Sequence, residues 1–258
     1  MAAPRAACRL GALFGRGLVL TAPIHVLVPC RAGSVRVPGK NTRPFAGDPG
    51  GLIGVKLDQL AACEEYASIV VTTDDPAVRA VAEERARRSR VPIAIHDRPP
   101  SLAIADTLDA FVAHVPEIVP DGVVAWTHVT SPLFGTALMD EAARAFRREV
   151  EDGPADSLMT VETVRSFVWD EEGCVSHDRS AVKWPQTQDL RPLYVVNSAL
   201  FMIDRTAMIA RRDRVGDRPF LFETDPISGF DIDWPSDFAL AERLYPAIQP
   251  LARPIPSP

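Results

Sequence analysis

No stretch of this chain approaches the ~18 uninterrupted apolar residues of a membrane span, which excludes an apolar transmembrane helix. Cysteine is scarce: Cys8, Cys30, Cys63 and Cys174 are the only four in 258 residues, with no CxxC pair. Neither a disulfide framework nor a zinc site is expected, and a reducing cytoplasm is the simpler setting. The five histidines show no HxxxH or HExxH spacing, which disfavours zinc hydrolysis. A GxSxG elbow, a GxxxxGK[ST] phosphate loop and a GxGxxG dinucleotide fingerprint are also missing. Acid is absent from the first 47 residues, which hold seven of the 28 Lys and Arg, so the rest of the chain carries 21 basic against all 34 acidic residues. A basic front on an acidic body argues against wrapping a nucleic acid, which needs a broad basic face, and allows a local anion site instead.

Apolar residues make up 47% and charged residues 24% of the chain, close to globular averages, and 258 residues suffice for a sizeable core. Residues 1–23, with Arg5, Arg9 and Arg16 between small apolar residues, faintly resemble a targeting peptide. Arg16 interrupts the short apolar part, so a disordered extension or an over-long gene start is expected there. From Ile24 onward the periodicities alternate. Ile24–Val28 is a continuous apolar run suited to a strand buried on both faces. Ile53, Leu57, Leu60 and Ala61 form a helical stripe. Ser68–Thr72 reads as a second strand, followed by Asp75-Pro76 as a capped helix start. Pro92–Ile95, a helix over 107–115 capped by Asp106, a strand over Val123–His128 and a helix from Ser131-Pro132 to about Arg148 continue the pattern. Alternation of strand and helix predicts an α/β fold: a three-layer, mostly parallel twisted sheet with helices on both faces. Further on, Ser157–Val161 and Tyr194–Ile203 look like strands, 166–193 has no clear period, and a closing helix spans about Ser236–Leu244.

Ligands of open α/β sheets sit at the carboxyl ends of strands, and the loop Val28–Asn41 leaves the first such end. Gly33 and Gly39 let backbone N–H groups approach an anion, Ser34 adds a hydroxyl, and Arg31, Arg36 and Lys40 add positive charge. That chemistry fits a polyphosphate; a solvated basic loop is the competing reading. Asp231 and Asp233, at i and i+2 of an extended segment, point to one side and match the one or two carboxylates that magnesium takes beside phosphate oxygens and water. Capping of the Pro235-led helix is their alternative role. His128, near Thr130 and Ser131, is either a ligand contact or a satisfied core histidine.

Together these pieces resemble the cytidylyltransferases that make CMP-activated sugar acids, the acylneuraminate, pseudaminate and 3-deoxy-manno-octulosonate synthetases. The resemblance runs from Cys30-Arg31-Ala32-Gly33-Ser34-Val35-Arg36-Val37-Pro38-Gly39-Lys40-Asn41, through Thr72-Thr73-Asp74-Asp75, Arg98-Pro99 with Asp106, Thr130-Ser131-Pro132-Leu133 and Asn197-Ser198-Ala199-Leu200, to Asp231-Ile232-Asp233-Trp234-Pro235. It implies a Rossmann-like nucleotidyltransferase domain over 24–250, with about 163–193 as a small dimerisation extension. It also implies a homodimer; cysteine usage, the charge distribution and the lack of an apolar span add the expectation of a cytoplasmic protein that binds neither nucleic acid nor membrane. By resemblance, Arg31 and Lys40 are catalytic. Arg31, Gly33, Ser34, Arg36, Lys40, Asn41, Arg98 and Asp106 hold the nucleotide, Asn41 meeting the ribose and Arg98 the cytosine. Asp231 and Asp233 hold Mg2+. The implied reaction moves CMP from CTP to an acidic acceptor and releases pyrophosphate.

Departures from the family concentrate on the acceptor side. Val35 stands where sialate synthetases have Lys, His128 where they have Gln, and Thr187-Gln188-Asp189-Leu190-Arg191 lacks an arginine in its usual place for a sugar carboxylate. His128, Thr130, Ser131, Arg165, Lys183 and Arg191 are the acceptor-binding candidates. Besides a nonulosonic acid, a small phosphonate or other oxyacid of natural-product biosynthesis is an alternative acceptor, and a catalytically silent nucleotide-binding relative is a second alternative.

Overall fold

A computed structural model describes residues 21–103 and 107–248. The elements run β1 (Ile24–Cys30), α1 (Gly51–Ala62), β2 (Ser68–Thr73), α2 (Pro76–Ala86), β3 (Ile93–Asp97), α3 (Pro100–Ala103), α4 (Asp109–Ile118), β4 (Val123–Thr127), α5 (Thr136–Phe146), β5 (Ser157–Val164), β6 (Leu193–Asp204), α6 (Arg205–Arg211), β7 (Pro219–Thr224) and α7 (Pro235–Ile248). The expected α/β layering is present. One seven-stranded sheet has the order β3-β2-β1-β4-β6-β5-β7, and only β6 runs against the rest.

Strand alternation sorts side chains into two cores. Val26 and Val28 of β1, Ala125 of β4, and Leu200 and Met202 of β6 face α1, α2, α5 and α7. Leu27, Val124, Trp126, Phe201 and Ile203 from the same strands face α4 and α6. This is the period-2 burial of a sheet covered on both sides. Local capping matches the sequence at α2, where Asp75 accepts the Ala77 N–H at 2.9 Å with Pro76 following. Three differences matter for the site. Residues 131–135 form tight turns, and α5 starts at Thr136 rather than at Ser131-Pro132. Side chains of α1 claim that segment's carbonyls first: Lys56 Nζ donates to Ser131 O at 2.9 Å and Phe134 O at 3.0 Å, and Gln59 donates to Pro132 O at 2.8 Å. β7 is not marked by the sequence pattern: Pro219-Phe220-Leu221-Phe222 is a short apolar run with no period of two, and its first three residues are half-buried. α4 starts after Leu108, and Asp106, the expected cap, lies outside the described residues.

β1 leads to β2 and β3 on one side and has β4 on its other side. The carboxyl ends of β1 and β4 therefore flank the point where strand order reverses, the usual ligand crevice of an open α/β sheet.

Candidate active site at the strand switch point

The loop leaving β1 is shaped by two left-handed glycines, Gly33 at φ 76° and Gly39 at φ 65°. Val37 is buried and anchors it. At its start, Ala32 N–H donates to Asp74 Oδ1 at 2.8 Å, which gives that aspartate a loop-fixing role. At its end, Arg43 N–H reaches Gly39 O at 2.8 Å, and Asn41 O accepts the Ile53 N–H of α1 at 3.0 Å. Asn41 lines the cavity described below, but its buried amide donates to Arg31 O at 3.2 Å.

The second strip, before α7, is pinned through Ile232. This residue is fully buried, its N–H donates to Thr130 O at 2.9 Å, and its carbonyl accepts Lys40 Nζ at 2.8 Å. Asp231 and Asp233 flank it. Capping of α7 falls to another residue: Asp237 Oδ2 accepts the N–H groups of Asp233 at 3.1 Å and Trp234 at 2.7 Å. Both earlier carboxylates are thereby left for the cavity. Asp233 pairs with Arg36 at 2.7 Å, whose guanidinium also lies 5.4 Å from the Trp234 ring centroid. Burial raises the Asp231 carboxyl above the ordinary aspartate value, against a hydrogen bond from Thr130. Asp231 Oδ1 is buried with no hydrogen-bond partner. Burial likewise lowers the Lys40 ammonium, while Asp231 and Asp233 oppose that shift.

These groups converge on one cavity of about 320 Å³ lined by Arg31, Ser34, Val35, Arg36, Lys40, Asn41, His128, Thr130, Asp231 and Asp233, among others. Segments some 190 residues apart in sequence thus share a single pocket, with the Lys40–Ile232 bond as the direct link. No group of three or more His, Cys, Asp or Glu suited to a metal occurs among the described residues. An orphaned Asp231 oxygen beside Asp233 does fit a hard cation that draws its remaining oxygens from phosphate and water.

His128 lines the same cavity from the end of β4. Trp126 Nε1–H donates to its Nε2 at 2.7 Å. An indole N–H only donates, so His128 Nε2 must be unprotonated and the proton sits on Nδ1. Burial first, then the Arg214 charge, pushes the imidazole down to about 3, so it stays neutral at any physiological pH. Arg98, at the end of β3, is buried. Its Nη2 donates to Thr72 O at 3.3 Å, its guanidinium lies 4.3 Å from the Phe111 centroid, and it borders the cavity without lining it. Gly33 and Ser131 do not line it either; Ser131 is fully buried and spends its carbonyl on Lys56.

The three remaining acceptor candidates lie elsewhere, in the segment between β5 and β6. Arg165 donates to Leu190 O at 2.8 Å and Arg191 to Val175 O at 3.3 Å, and the Lys183 carbonyl accepts from Arg179 at 3.1 Å. None of the three lines the cavity. Outside the cavity lining, packed behind it, stand residues that sequence reasoning passed over. Trp126 and Arg214 left no local signal. Lys56 did leave one, since it falls on the inward stripe of α1 between Ile53 and Leu60.

A sequence-family profile described as cytidylyltransferase matches residues 25–250. Over 243 residues the chain is 30% identical to the CMP-N,N'-diacetyllegionaminic acid synthase of Legionella pneumophila, covering 86% of this chain and 95% of that protein. It is 26% identical over 228 residues to the N-acylneuraminate cytidylyltransferase of Streptococcus agalactiae, covering 82% of this chain and spanning 51% of that longer relative. Among solved structures, a CMP:2-keto-3-deoxy-manno-octonic acid synthetase complexed with CTP superposes with a TM-score of 0.59 at 14% identity, over 88% of this chain and 99% of that one, which supports the fold. The chain belongs to the cytidylyltransferase family, and it is an enzyme of the nucleotidyltransferase type.

Proposed function

We propose that this enzyme transfers CMP from CTP to an acidic acceptor and releases pyrophosphate, and that the acceptor is a sugar acid of the nonulosonate type. The observation that carries this reading is the meeting of Arg31, Arg36 and Lys40 with Asp231 and Asp233 in one cavity at the strand switch point. In the proposed reaction an acceptor oxygen attacks the α-phosphorus of CTP. A new oxygen–phosphorus bond forms, the bond from the α-phosphorus to the bridging oxygen breaks, and pyrophosphate leaves with the electron pair. Such a displacement needs positioning and charge neutralisation more than covalent help. Arg31 and Lys40 neutralise the phosphates, Ser34 and the loop N–H groups orient them, and Arg98 is the proposed partner of the cytosine. Asp231 and Asp233 would hold Mg2+, which, when bound, neutralises phosphate charge as pyrophosphate departs.

The sugar-acid assignment follows the names of the two curated relatives. A small phosphonate is the second reading, motivated by the departures at His128 and 187–191; Arg165, Lys183 and Arg191, which would recognise its anion in that reading, do not line the cavity. We further infer a cytoplasmic homodimer joined through about 163–193, where Trp169 and Trp184 are exposed, as are Tyr194, Val195 and Val196 at the adjoining start of β6. A pyrophosphate-release screen across four nucleoside triphosphates, with N-acetylneuraminate and small phosphonates as acceptors, with and without EDTA, tests the activity. Release that needs CTP, an acid and Mg2+ together is expected. A chain that binds CTP yet releases no pyrophosphate with any acid is a silent relative.

A further inference from the structure

Arg214 lies in the turn between α6 and β7, and its guanidinium is packed onto a cross-strand aromatic pair. It sits 3.9 Å from the Phe201 ring centroid and 4.9 Å from that of Trp126, two residues directly opposite each other in β6 and β4. Five N–H donors with no acceptor are costly away from water. Among the described residues Arg214 makes no hydrogen bond and no ion pair, and its Nη1 is buried without a partner. Stacking on two rings leaves Arg214 half-buried, and its Nη1 alone is shut away from water with no acceptor. Asp213, its neighbour in sequence, is the opposing charge that most affects it, and burial still lowers the guanidinium below its ordinary value.

The same indole that carries Arg214 on its face donates its N–H to His128. His128 lines the cavity, and its protonated Nδ1 has no partner among the described residues. One platform, Trp126, thus presents a stacked cation and a neutral donor, neither of which the protein satisfies. Arg214 is the charge that acts most strongly on His128, followed by Lys56, Lys40 and Arg98. Arg214 and Trp126 are not among the residues that line the cavity; they stand behind His128, where Arg214 leaves a positive charge that no hydrogen bond or ion pair of the described residues answers.

We propose that Arg214, stacked on Trp126 and Phe201 and acting beside His128 Nδ1–H, is the recognition residue for the anionic group of the acceptor. The assignment rests on the acidic-acceptor reading above and gives it an arginine in place of the one missing from its usual position within 187–191. A guanidinium fork accepts either a carboxylate or a phosphonate, so the acceptor's identity is left to the measurement.

Calorimetric binding of N-acetylneuraminate, 2-hydroxyethylphosphonate and the methyl ester of each, with CTP present and magnesium withheld, tests it on the wild type, R214K and R214Q. The wild type is expected to bind one acid at least 30-fold tighter than its ester. R214Q should lose that preference, R214K should keep part of it, and the CTP affinity of both variants should stay within twofold of wild type. Unchanged acid binding in R214Q, or no discrimination between acid and ester by the wild type, overturns the assignment; so does a wild type that binds neither acid. R214K and a thermal melt separate lost recognition from misfolding. If CTP binds and pyrophosphate release proceeds normally in R214Q, only the role of Arg214 fails. If wild type binds no CTP or releases no pyrophosphate with any acid, the parent reading fails with it.

Discussion

Lys56 is the residue whose side chain pays the clearest energetic penalty. It is fully buried on α1, and burial lowers its ammonium to about 7. A lysine lowered on folding binds fewer protons folded than unfolded between its two pKa values. Its contribution to stability therefore rises from about pH 7 towards the unfolded value near 10 and is at its least favourable below 7. Cys30 and Cys63, each pushed up to about 12 by burial, oppose this above about pH 8.5. The informative quantity is thus the urea midpoint of wild type minus that of K56M, expected to grow between pH 6.5 and 9.5; parallel curves contradict a titrating Lys56. At Lys40, truncation to Met removes a cation from the proposed phosphate site and a bond to Ile232 O. A drop in kcat of about 10²- to 10³-fold is expected, with a melting temperature little changed. His128, already neutral, cannot place a titration between pH 5 and 8, so H128N should alter acceptor KM without shifting the pH profile of kcat/KM.

At the scale of elements, catalytic geometry depends on how loops are tied to strands. Asp74 at the end of β2 holds the loop after β1 through Ala32 N–H, and Asn41 ties that loop to itself through Arg31 O. Removing the first tie frees one end of a loop that two left-handed glycines already make adaptable. D74A is expected to raise the KM for CTP about 3- to 10-fold, roughly the ~1 kcal/mol net worth of one hydrogen bond, while leaving the thermal midpoint within about 2 °C. β6 shows a different device. At Ser198, φ is 60°, and its pairing with β5 shifts between Met159 and Val161. Asn197 there donates to Thr224 Oγ1 of β7 at 2.7 Å. The Asn197-Ser198 motif that carries part of the family resemblance thus bends β6 and links it to the edge strand.

For the whole molecule, exposed apolar surface bears on the proposed dimer. Beyond the bulge, Val195 and Val196 are both exposed although they are adjacent, so both faces of that ribbon are uncovered, and Trp184 is 64% exposed nearby in the chain. Apolar surface of this kind marks an interaction site. Light scattering at micromolar concentration should give twice the chain mass, and V195K should return it to the monomer; a monomeric wild type rules out the interface.

Alternating strand and helix periods, the capped start of α2 and the two charged clusters were legible in sequence, because each depends on residues within one or two turns of chain. The acidic pair before α7 was legible as a candidate, but whether it capped the helix was decided by Asp237. The reversal of β6, the edge position of β7, the carbonyl grip of Lys56 that delays α5, and the desolvation of Arg214 on Trp126 and Phe201 arise only when distant segments meet. Periodicity records which face of an element is apolar; it carries nothing about which strand will lie alongside, or which cation will be stranded away from water when it does.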